Sequence, residues 1–524
     1  MKMKNHILNT LLLPALLAGA MSVGAEDLVI LHTNDTHSLI DPNAKGEGGV
    51  LQRKAIIDSV RRAEKNVLLV DAGDIVQGTL YFNFFKGDVE YPLMNLAKYD
   101  VQILGNHEFD NGLEDLARHY KDLKASRLSA NYDFTDTPLR GMFEPYVIKK
   151  VKGKKIGFIG ININPEGLIS EQNYEGLKYS DSVEAANRTA EYLKDKKKCD
   201  LVVVVSHIGV SRDSGQPIDY DIARASKDID IIIGGHSHTV IEPGNKGQYP
   251  CYVDNAEGRP VLVTQTGKYG RNLGYIKIDL DRLATETPKD YDYQLIKVTD
   301  RFPQEQLDPA MKAFIAPYKH VVDSVNNRVI AQSKYDLDSD DRNGGYANWA
   351  GDFAAAYARN VADSINAAGG NIPRVDFALM NVGGIRQNMP KGNVTEGQML
   401  ATFPFSNHLV IASIKGRDFI DAMKVAAPKG GEAISSELRV VTDGKGGVEH
   451  VVIDGREMDP DKDYTYATID YLFWGNDGMK SLANSKLLWR DDEMVSAPIL
   501  RYVEEQGRLG IPIAPDLNGR FIRN

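Results

Sequence analysis

The chain has 524 residues, of which 42% are hydrophobic and 26% are charged, and its formal net charge is −10. This composition is typical of a globular protein and excludes collagen, a coiled coil and disorder as the main class. The length predicts about two to four domains. The acidic balance argues against a dedicated binder of polymeric nucleic acid, which usually has a basic face. It is compatible with a small anionic substrate, because bound metal ions supply local positive charge.

The first 25 residues have the pattern of an export signal. Lys2 and Lys4 precede a largely apolar stretch, 7–17, and Val23-Gly24-Ala25 fits a signal-peptidase site. The apolar stretch is too short to span a bilayer comfortably, and no later stretch looks like a spanning helix. We therefore expect residues 1–25 to be a signal peptide. The mature protein would be exported without a membrane span, into the periplasm or the extracellular space.

The sequence contains two cysteines, Cys199 and Cys251. So few cysteines exclude a disulfide framework and a zinc site made of thiolates. One disulfide bond between them and two free thiols are both compatible with the sequence.

Residues 27–301 repeat one pattern, in which a short, β-branched apolar run is followed by a polar turn. Such runs suit strands that are buried on both faces. They occupy 28–31, 67–70, 101–104, 156–161, 201–205, 229–233 and 261–263. The stretches 51–64 and 182–196, which lie between these runs, predict helices. This alternation predicts an α/β domain with a layered, mixed sheet.

A mostly polar segment with Pro288 and Pro303 near its ends follows the last run. Residues 304–325 then predict a helix, and beyond them helices at 346–368 and 416–427 alternate with short strands. We therefore expect four parts. They are a signal peptide (1–25), an N-terminal domain (26–301), a linker helix (302–330) and a C-terminal α/β domain (331–524).

Polar side chains gather where five of the predicted strands end. The motifs occupy 32–37, 71–74, 105–110, 206–209 and 234–238. The carboxyl ends of strands are the places where α/β sheets form ligand sites. Each motif alone is a weak signal, since an isolated Asp-x-His is more often a turn. The ordered set of motifs, all at strand ends, indicates one shared site.

The residue types in these motifs fit two neighbouring divalent cations. The candidate ligands are Asp35, His37, Asp74, Asn106, His207, His236 and His238. Asp35 and His37 would bind one ion, and Asn106 and His207 would bind the other. One histidine of the last motif would complete each set. Asp74 would bridge the two ions. Mixed oxygen and imidazole ligands suit Zn²⁺, Mn²⁺, Fe or Co better than Mg²⁺ or Ca²⁺.

Two such ions, about 4 Å apart, generate a hydroxide and clamp the oxygens of an in-line displacement at phosphorus. His107 directly follows the ligand Asn106 and can face the substrate instead of the metal. Asp110, three residues later, can orient the His107 ring, so that the pair acts as a donor to the transition state. By contrast, we expect Asp71 to be structural and His32 to be a hydrogen-bonded histidine of the core.

The second half of the chain has features of a nucleotide clamp. The turn 381–386 contains two glycines and ends in Arg386, so its backbone can approach a ligand closely and its guanidinium can bind a phosphate. The segments 403–405 and 470–474 supply aromatic faces that can stack on a base. Residues 475–478 offer a carboxylate for ribose hydroxyls. The alternative is that these glycines form ordinary turns and the aromatic side chains belong to the core.

The N-terminal motifs resemble the signature of the calcineurin-like dinuclear metallophosphatases. The stretches 32–35 (His-Thr-Asn-Asp) and 106–110 (Asn-His-Glu-Phe-Asp) resemble the 5′-nucleotidase family in particular, which includes bacterial periplasmic 5′-nucleotidase/UDP-sugar hydrolases. The resemblance implies an N-terminal domain of four layers, α/β/β/α. It also implies the seven metal ligands given above and the dyad of His107 with Asp110. Some family members have glutamine where this chain has His238, and either side chain can ligate.

The second half is similar to the C-terminal nucleotide-binding domain of the same family, through 381–386, 404–405 and 470–478. The similarity implies that Asn381 and Arg386 bind the substrate. It implies that Phe405 and Tyr471 stack on the base and that Asp477 holds the ribose.

Two residues depart from the family pattern: Val382 replaces a glycine, and Tyr471 stands where phenylalanine is frequent. A further phosphate-binding arginine is expected before the helix at 346, and Arg342 is the candidate, although its spacing does not match well. The family also implies a domain rotation that carries the substrate to the metals, for which the helix at 304–325 would be the hinge element.

Together these observations predict an exported, metal-dependent 5′-nucleotidase. A metal-bound water or hydroxide would attack the phosphorus of a nucleoside 5′-monophosphate and release nucleoside and phosphate. The cofactors would be two divalent metal ions, with Zn or Mn preferred over Co or Fe. The partner would be a small nucleotide, and the oligomeric state is left open.

Other functions remain compatible with the same motifs. Within the fold, they are hydrolysis of UDP-sugars or nucleoside diphosphates, 2′,3′-cyclic nucleotide phosphodiesterase activity, and the thiosulfohydrolase activity of sulfur oxidation. The aromatic pair argues against the last, which needs no base stack. From another class, a nucleotide-scavenging binding protein is possible in principle, but binding alone needs no pair such as His107 and Asp110.

Overall fold

The computed structural model describes residues 27–43, 45–211, 216–245, 248–443 and 445–523. The expected signal peptide, residues 1–25, lies outside the described residues. A search of the described helices finds none with the length and apolar character needed to cross a lipid bilayer.

The secondary structure alternates between strands and helices along the whole described chain. The strands of the first half are β1 (Asp27–Thr33), β2 (Val67–Asp71), β3 (Val101–Ile103), β4 (Ser126–Leu128), β5 (Tyr132–Asp133), β6 (Tyr146–Val151), β7 (Lys154–Ile161), β8 (Lys178–Tyr179), β9 (Leu201–Ser206), β10 (Ile231–Ile233), β11 (Tyr252–Asp254), β12 (Pro260–Thr264), β13 (Asn272–Asp279) and β14 (Asp292–Lys297). The strands of the second half are β15 (Val329–Ser333), β16 (Phe377–Met380), β17 (Gly392–Thr395), β18 (His408–Lys415), β19 (Ala433–Ile434), β20 (Leu438–Thr442), β21 (Val448–Ile453), β22 (Arg456–Glu457), β23 (Asp463–Ile469), β24 (Lys486–Met494) and β25 (Phe521–Arg523). The helices are α1 (Val50–Ala63), α2 (Leu80–Phe85), α3 (Glu90–Ala97), α4 (Leu113–Tyr120), α5 (Ser182–Asp195), α6 (Asp219–Ala225), α7 (Pro309–Asn326), α8 (Gly345–Ala367), α9 (Glu396–Thr402), α10 (Gly416–Ala426), α11 (Asp470–Phe473) and α12 (Ser496–Arg508).

Two six-stranded sheets face each other in the first half of the described chain. Their strand orders are β14-β13-β1-β2-β3-β4 and β11-β12-β10-β9-β7-β6. Along β1, Leu28 and Ile30 pack between the two sheets, whereas Val29 and Leu31 pack on the helices outside the first sheet. The strand is therefore buried on both faces, which explains its continuous apolar run.

Helices cover the outer face of each sheet. Ile56 of α1, Leu93 of α3 and Leu116 of α4 share a core with the outer face of the first sheet. Ala186 of α5 and Ile222 of α6 belong to the core that contains the second sheet. The four layers, α/β/β/α, confirm the fold expected for this half of the chain.

Several predicted elements differ from the structure at their ends. The helix expected at 304–325 is α7, which begins at Pro309, because the Asp308 carboxylate accepts hydrogen bonds from the backbone N–H groups of Ala310 and Met311 and caps the helix there. The run at 229–233 forms a strand only over Ile231–Ile233. Strands β13 and β14 were not predicted, since their alternating or polar residues lack a continuous apolar run. They extend the first sheet because β13 pairs antiparallel with β1 and β14 pairs antiparallel with β13.

The second half of the described chain is also α/β. Its main sheet has the order β19-β16-β23-β18-β24, and a smaller sheet has the order β22-β21-β20-β25. Helix α8 packs on β16 and β19. Phe353 on this helix and Phe377 on β16 are both buried in one hydrophobic core that extends through this half of the chain.

Helix α7 packs on the first half of the chain. Its Met311 and Ile315 are buried in the core that contains the outer face of β1, and Lys319 forms an ion pair with Asp41 at 3.0 Å. The role of this helix as a hinge stays a prediction. Cys199 and Cys251 are both buried and free, so the open question of a disulfide bond is answered in favour of two thiols.

Candidate metal centre and substrate site

The polar motifs found in the sequence lie at the carboxyl ends of β1, β2, β3, β9 and β10. Strands β1, β2 and β3 are parallel neighbours in the first sheet. Strands β9 and β10 are parallel neighbours in the second. Because the two sheets face each other, these ends meet at one edge of the sandwich, and the seven predicted metal ligands lie together there.

The first group of potential ligands consists of Asp35, His37 and His238, whose ligand atoms all lie within 4.8 Å of one another. The Nε2 atoms of His37 and His238 are 2.9 Å apart. The Oδ1 atom of Asp35 lies 3.4 Å from the Nε2 of His238. Three donors converge on one point, as a cation requires.

The second group consists of Asp74, His207 and His236, again within 4.8 Å. The Nε2 of His207 lies 3.1 Å from the Oδ2 of Asp74, and the Oδ1 of Asn106 lies 2.9 Å from the Nδ1 of His236. The structure therefore answers which histidine of the last motif goes with which pair: His236 lies with His207 and Asn106, and the other histidine lies with the first group.

The two groups are adjacent. The Nε2 of His207 lies 3.9 Å from the Oδ1 of Asp35, and the Nε2 of His37 lies 4.0 Å from the Oδ2 of Asp74. Each carboxylate thus lies within reach of both groups. This arrangement is compatible with the bridging role expected of Asp74.

The donor atoms of the histidines fit metal ions. The Nδ1 atoms of His37 and His207 lie 3.3 Å and 2.6 Å from the carbonyl oxygens of Val76 and Ala72. A carbonyl only accepts hydrogen bonds, so each Nδ1 donates and each Nε2 is left to ligate. The Nε2 of His207 is buried, and its nearest acceptor is the Oδ2 of Asp74 at 3.1 Å, itself a predicted ligand. A divalent cation would satisfy this nitrogen.

Protons compete with metal ions for the same nitrogen. Burial disfavours protonation of His207, yet the carboxylates of Asp74 and Asp35 raise its pKa to about 10. In His236, burial dominates and lowers the pKa to about 4. Near pH 7 a metal ion would therefore displace a proton from His207 but not from His236.

The loops that carry the ligands have strained backbones. Five of the predicted ligands adopt positive φ angles, a region that residues other than glycine rarely occupy: Asp35 (49°), His37 (45°), Asp74 (55°), His236 (69°) and His238 (54°). Such conformations cost of the order of 1 kcal/mol or more each and are typical of functional sites. Backbone hydrogen bonds between the loops hold them, from Asp35 N to Gly73 O at 2.9 Å and from His37 N to Asp74 O at 3.0 Å.

Glu108 joins two of the ligand loops, and the sequence motifs did not single it out. Its buried carboxylate accepts hydrogen bonds from the backbone N–H groups of Asp74 (3.0 Å), Ile75 (2.9 Å) and Gly105 (2.5 Å). Burial and the Asp74 carboxylate raise the pKa of Glu108 to about 8. The sequence feature that could have identified Glu108 is its position between His107 and Asp110, in a motif rich in functional groups.

Asn34 supports the first ligand group in a similar way and was also missed. Its Nδ2 donates to the Oδ2 of Asp35 at 2.6 Å and to the carbonyl of Gly267 at 2.8 Å. Its Oδ1 accepts from the backbone N–H of Thr266 at 2.9 Å. The backbone N–H of His236 also donates to Asp35, at 3.0 Å. The orientation of the Asp35 carboxylate is therefore fixed from several sides.

The expected dyad is present. The Nδ1 of His107 lies 2.9 Å from the Oδ2 of Asp110, and the backbone N–H of His107 donates to the Oδ1 of Asp74 at 2.9 Å. Burial disfavours protonation, but Asp110 and Asp74 raise the pKa of His107 above its usual value. With Nδ1 engaged by the carboxylate, Nε2 is the atom that remains for a substrate.

The predicted substrate residues Arg386 and Phe405 lie beside the dyad. The centre of the Phe405 ring is 6.0 Å from that of His107, and the Arg386 guanidinium carbon lies 5.8 Å from the Phe405 ring centre. The Nε of Arg386 is buried without a hydrogen-bond partner among the described residues. A positive charge with an unused donor therefore lies beside Phe405, the ring that neighbours His107.

The other predicted substrate residues form a cluster. The Nδ2 of Asn381 donates to the Oδ2 of Asp477 at 3.1 Å, and the Tyr471 hydroxyl lies 3.0 Å from the Oδ1 of Asp477. Burial and the Asp477 carboxylate raise the pKa of Tyr471 well above its usual value. The Oδ1 of Asn381 is buried and unpartnered in the described part of the chain, so it is available to a ligand.

Arg342, the remaining candidate, is linked to the Asn381 turn through Glu432. Its Nη1 bonds the Oε1 of Glu432 at 2.5 Å, while the Oε2 of Glu432 accepts from the backbone N–H of Val382 at 2.6 Å. Glu432 was not found from the sequence, since no motif surrounds it.

Two expectations about neighbouring residues have different outcomes. Asp71 accepts hydrogen bonds from the Thr33 hydroxyl (2.6 Å) and the backbone N–H of Gly73 (3.0 Å), as a structural residue does. His32 is fully buried, as expected, but neither ring nitrogen has a hydrogen-bond partner among the described residues, so the expected hydrogen bond was wrong. The ring packs against Gly274, where a side chain would clash, and burial lowers the pKa of His32 to about 3.

A pair of His/Asp groups at the carboxyl edge of an α/β/β/α sandwich defines a dinuclear metallophosphoesterase. Comparison with protein-family models agrees: residues 28–240 match the calcineurin-like phosphoesterases, and residues 329–484 match the 5′-nucleotidase C-terminal domain. The chain belongs to the 5′-nucleotidase family of calcineurin-like phosphoesterases. It is a hydrolase of phosphoric esters that uses divalent metal ions.

Proteins similar to this chain occur in other organisms. A 5′-nucleotidase of Vibrio cholerae serotype O1 is 29% identical over 87% of this chain and 86% of its own length. The crystal structure of a 5′-nucleotidase precursor from Thermus thermophilus superposes with a TM-score of 0.80 at 28% identity, and covers 95% of this chain and 99% of its own. The trifunctional nucleotide phosphoesterase protein YfkN of Bacillus subtilis is 26% identical over 95% of this chain, which spans 35% of that longer protein.

Proposed function

We propose that the protein hydrolyses nucleoside 5′-monophosphates to nucleosides and inorganic phosphate. The observation that carries this proposal is the contact between the metal site and the predicted nucleotide residues, with the His107 ring 6.0 Å from the Phe405 ring. Arg386 lies 5.8 Å from the Phe405 ring, and Tyr471 and Asp477 lie 3.0 Å apart in the same half of the chain. A mononucleotide presents a phosphate, a ribose and a base, and these residues offer a partner for each.

Each group of residues would have a distinct role in the reaction. Two divalent ions, when bound, supply positive charge and make water a better nucleophile at neutral pH. Arg386 binds the phosphate through its fork of N–H groups. His107, whose Nδ1 is held by Asp110 at 2.9 Å, donates from Nε2 to a phosphate oxygen as charge develops there. Phe405 and Tyr471 stack on the base.

We also propose the identity of the metal and the compartment. The mixture of imidazole and carboxylate donors favours Zn or Mn, and Co or Fe would accept the same ligands. The pattern at residues 1–25 favours export, to the periplasm or the extracellular space. A direct test of export is N-terminal sequencing of the protein recovered from the periplasm or medium, which is expected to begin at Glu26.

The experiment that tests the reaction is release of phosphate by the chain from Glu26 on AMP. UDP-glucose and a 2′,3′-cyclic nucleotide serve as parallel substrates, each assayed after chelation and after addition of Mn²⁺ or Zn²⁺. We expect release from AMP that chelation abolishes and metal restores. A higher kcat/KM for either parallel substrate would instead assign that activity. No turnover with any metal would favour a nucleotide-scavenging binding protein.

The dyad is tested in the same assay. Replacing His107 by alanine is expected to lower kcat about 10²–10⁴-fold, the range for a lost proton donor or acceptor. Asp110→Asn is expected to have a smaller effect in the same direction. Phosphate release by His107→Ala at the wild-type rate would show that the assigned role is wrong.

A further inference from the structure

We infer that Arg342 is a positioning residue, which acts with the buried Glu432 to support the Asn381 turn and does not bind the phosphate of the substrate. The inference rests on the proposed function, because it concerns the nucleotide site of that reaction.

Glu432 has both carboxylate oxygens engaged. Its side chain is 1% exposed. One oxygen bonds Arg342 at 2.5 Å, and the other accepts the backbone N–H of Val382 at 2.6 Å. Val382 directly follows Asn381, so the carboxylate holds the backbone of the turn that presents the Asn381 side chain to Asp477. Arg342 in turn holds the carboxylate.

The positive charge of Arg342 is already paired with the carboxylate of Glu432. A guanidinium bonded to a buried carboxylate forms a charge-assisted hydrogen bond, and its charge is largely neutralised by its partner. Arg386 differs in this respect. Among the described residues it makes no ion pair, its Nε has no hydrogen-bond partner, and it lies at the Phe405 ring beside the dyad. Of the two arginines, Arg386 is the one whose charge is free for a phosphate.

Glu432 depends on Arg342 because it is buried. Burial raises the pKa of Glu432 to about 7, while the Arg342 guanidinium acts in the opposite direction. The carboxylate of Asp477, the predicted ribose-binding residue, also raises the pKa of Glu432, because it lies nearby. Removing one partner of a buried pair leaves the other uncompensated. Loss of Arg342 would therefore disturb Asn381 and Asp477, which recognise the nucleoside.

The proposal is tested with Arg342→Met, Glu432→Gln and the double variant. The measurements are kcat and KM for AMP, KM for the small aryl ester p-nitrophenyl phosphate, and Ki for inorganic phosphate. We expect each single variant to raise KM for AMP about tenfold, with kcat, the aryl-phosphate KM and the phosphate Ki within about twofold of wild type. Because the two residues act as one unit, the double variant should be no worse than either single variant.

Controls separate this proposal from a general loss of structure. Arg374→Met, at an exposed arginine, should match wild type, and Arg386→Met should raise the phosphate Ki. If Arg342→Met does not fold, Arg342→Gln, which can still bond Glu432 without a charge, should keep most of the affinity for AMP. A tenfold rise of the phosphate Ki in either Arg342 variant, or additive effects in the double variant, would overturn the inference. Absence of AMP turnover in the wild type would instead count against the proposed function.

Discussion

The rings of His107 and Phe405, which come from different halves of the chain, lie 6.0 Å apart from centre to centre. The same two halves also meet where the Gln387 side chain donates to the carbonyl of Gly78 at 3.3 Å. The predicted dyad and the predicted nucleotide residue Phe405 are therefore neighbours across the contact between the two halves. Substitution of residues that support the ligand loops, as well as of residues that would face a substrate, should change metal binding, activity or stability.

Glu108→Gln is expected to weaken metal binding. A carboxylate accepts from three backbone N–H groups at once, whereas the glutamine amide has one oxygen and presents its NH₂ group to at least one of those donors. The loops that carry Asp74 and Asn106 would then separate. We expect the metal Kd, measured by calorimetry, to rise about 10–100-fold, the usual cost of losing such support.

At saturating metal, kcat of Glu108→Gln should recover towards the wild-type value, since no group that faces the substrate is changed. The matched control is Glu114→Gln, at an exposed glutamate on α4, which should leave the metal Kd unchanged. An unchanged metal Kd in Glu108→Gln would show that the three hydrogen bonds do not hold the centre.

The aromatic residues of the substrate site are expected to act on the nucleoside part of the substrate. Stacking contributes about 1–3 kcal/mol per base, so Phe405→Ala combined with Tyr471→Ala should raise KM for AMP by about 10–100-fold. KM for p-nitrophenyl phosphate should change much less.

Tyr471→Phe is the matched control for the ring. It keeps the aromatic face and removes the hydroxyl that lies 3.0 Å from Asp477, and its KM for AMP should lie between those of wild type and Tyr471→Ala. Equal losses with AMP and the aryl ester in the double alanine variant would contradict base stacking.

Glu90 is expected to make the fold less stable as the pH rises. Both of its oxygens are buried without a hydrogen-bond partner among the described residues, and burial raises the pKa of Glu90 to about 7. The folded state therefore binds a proton that the unfolded chain releases above its ordinary pKa. The associated stability is present at low pH and is lost between about pH 5 and pH 8.

Replacing Glu90 by glutamine removes this dependence. We expect the variant to gain about 1–3 kcal/mol relative to wild type between pH 5 and pH 8. Urea unfolding at both pH values measures the difference. Glu114→Gln should show the same difference from wild type at pH 5 and at pH 8. A pH-independent effect of Glu90→Gln would indicate that Glu90 is not the titrating group.

Much of the site could be predicted from the sequence because its parts follow local rules. A strand buried on both faces is a continuous apolar run, and the residue after such a strand lies at a sheet edge. Asp35, Asp74 and His207 were found in this way. The dyad was found because His107 and Asp110 are three residues apart, so their contact is local.

The contacts that could not be predicted join distant parts of the chain. The sequence predicted one histidine of the last motif for each ligand group, but not which one, because the packing of one sheet on the other decides that His236 lies with His207 and that His238 lies with Asp35. Glu432 is 90 residues from Arg342, and no spacing rule connects them. The strands β13 and β14 were missed because their burial depends on their neighbours more than on their own composition.

The positive φ angles of the predicted metal ligands bear on how such a sequence evolves. At Asp35 or His238, glycine would relieve the conformational strain, and in doing so it would delete a ligand. Selection for stability alone would therefore favour glycine at these two positions, at the expense of the side chains. Retention of the aspartate and the histidine requires selection for what their side chains do.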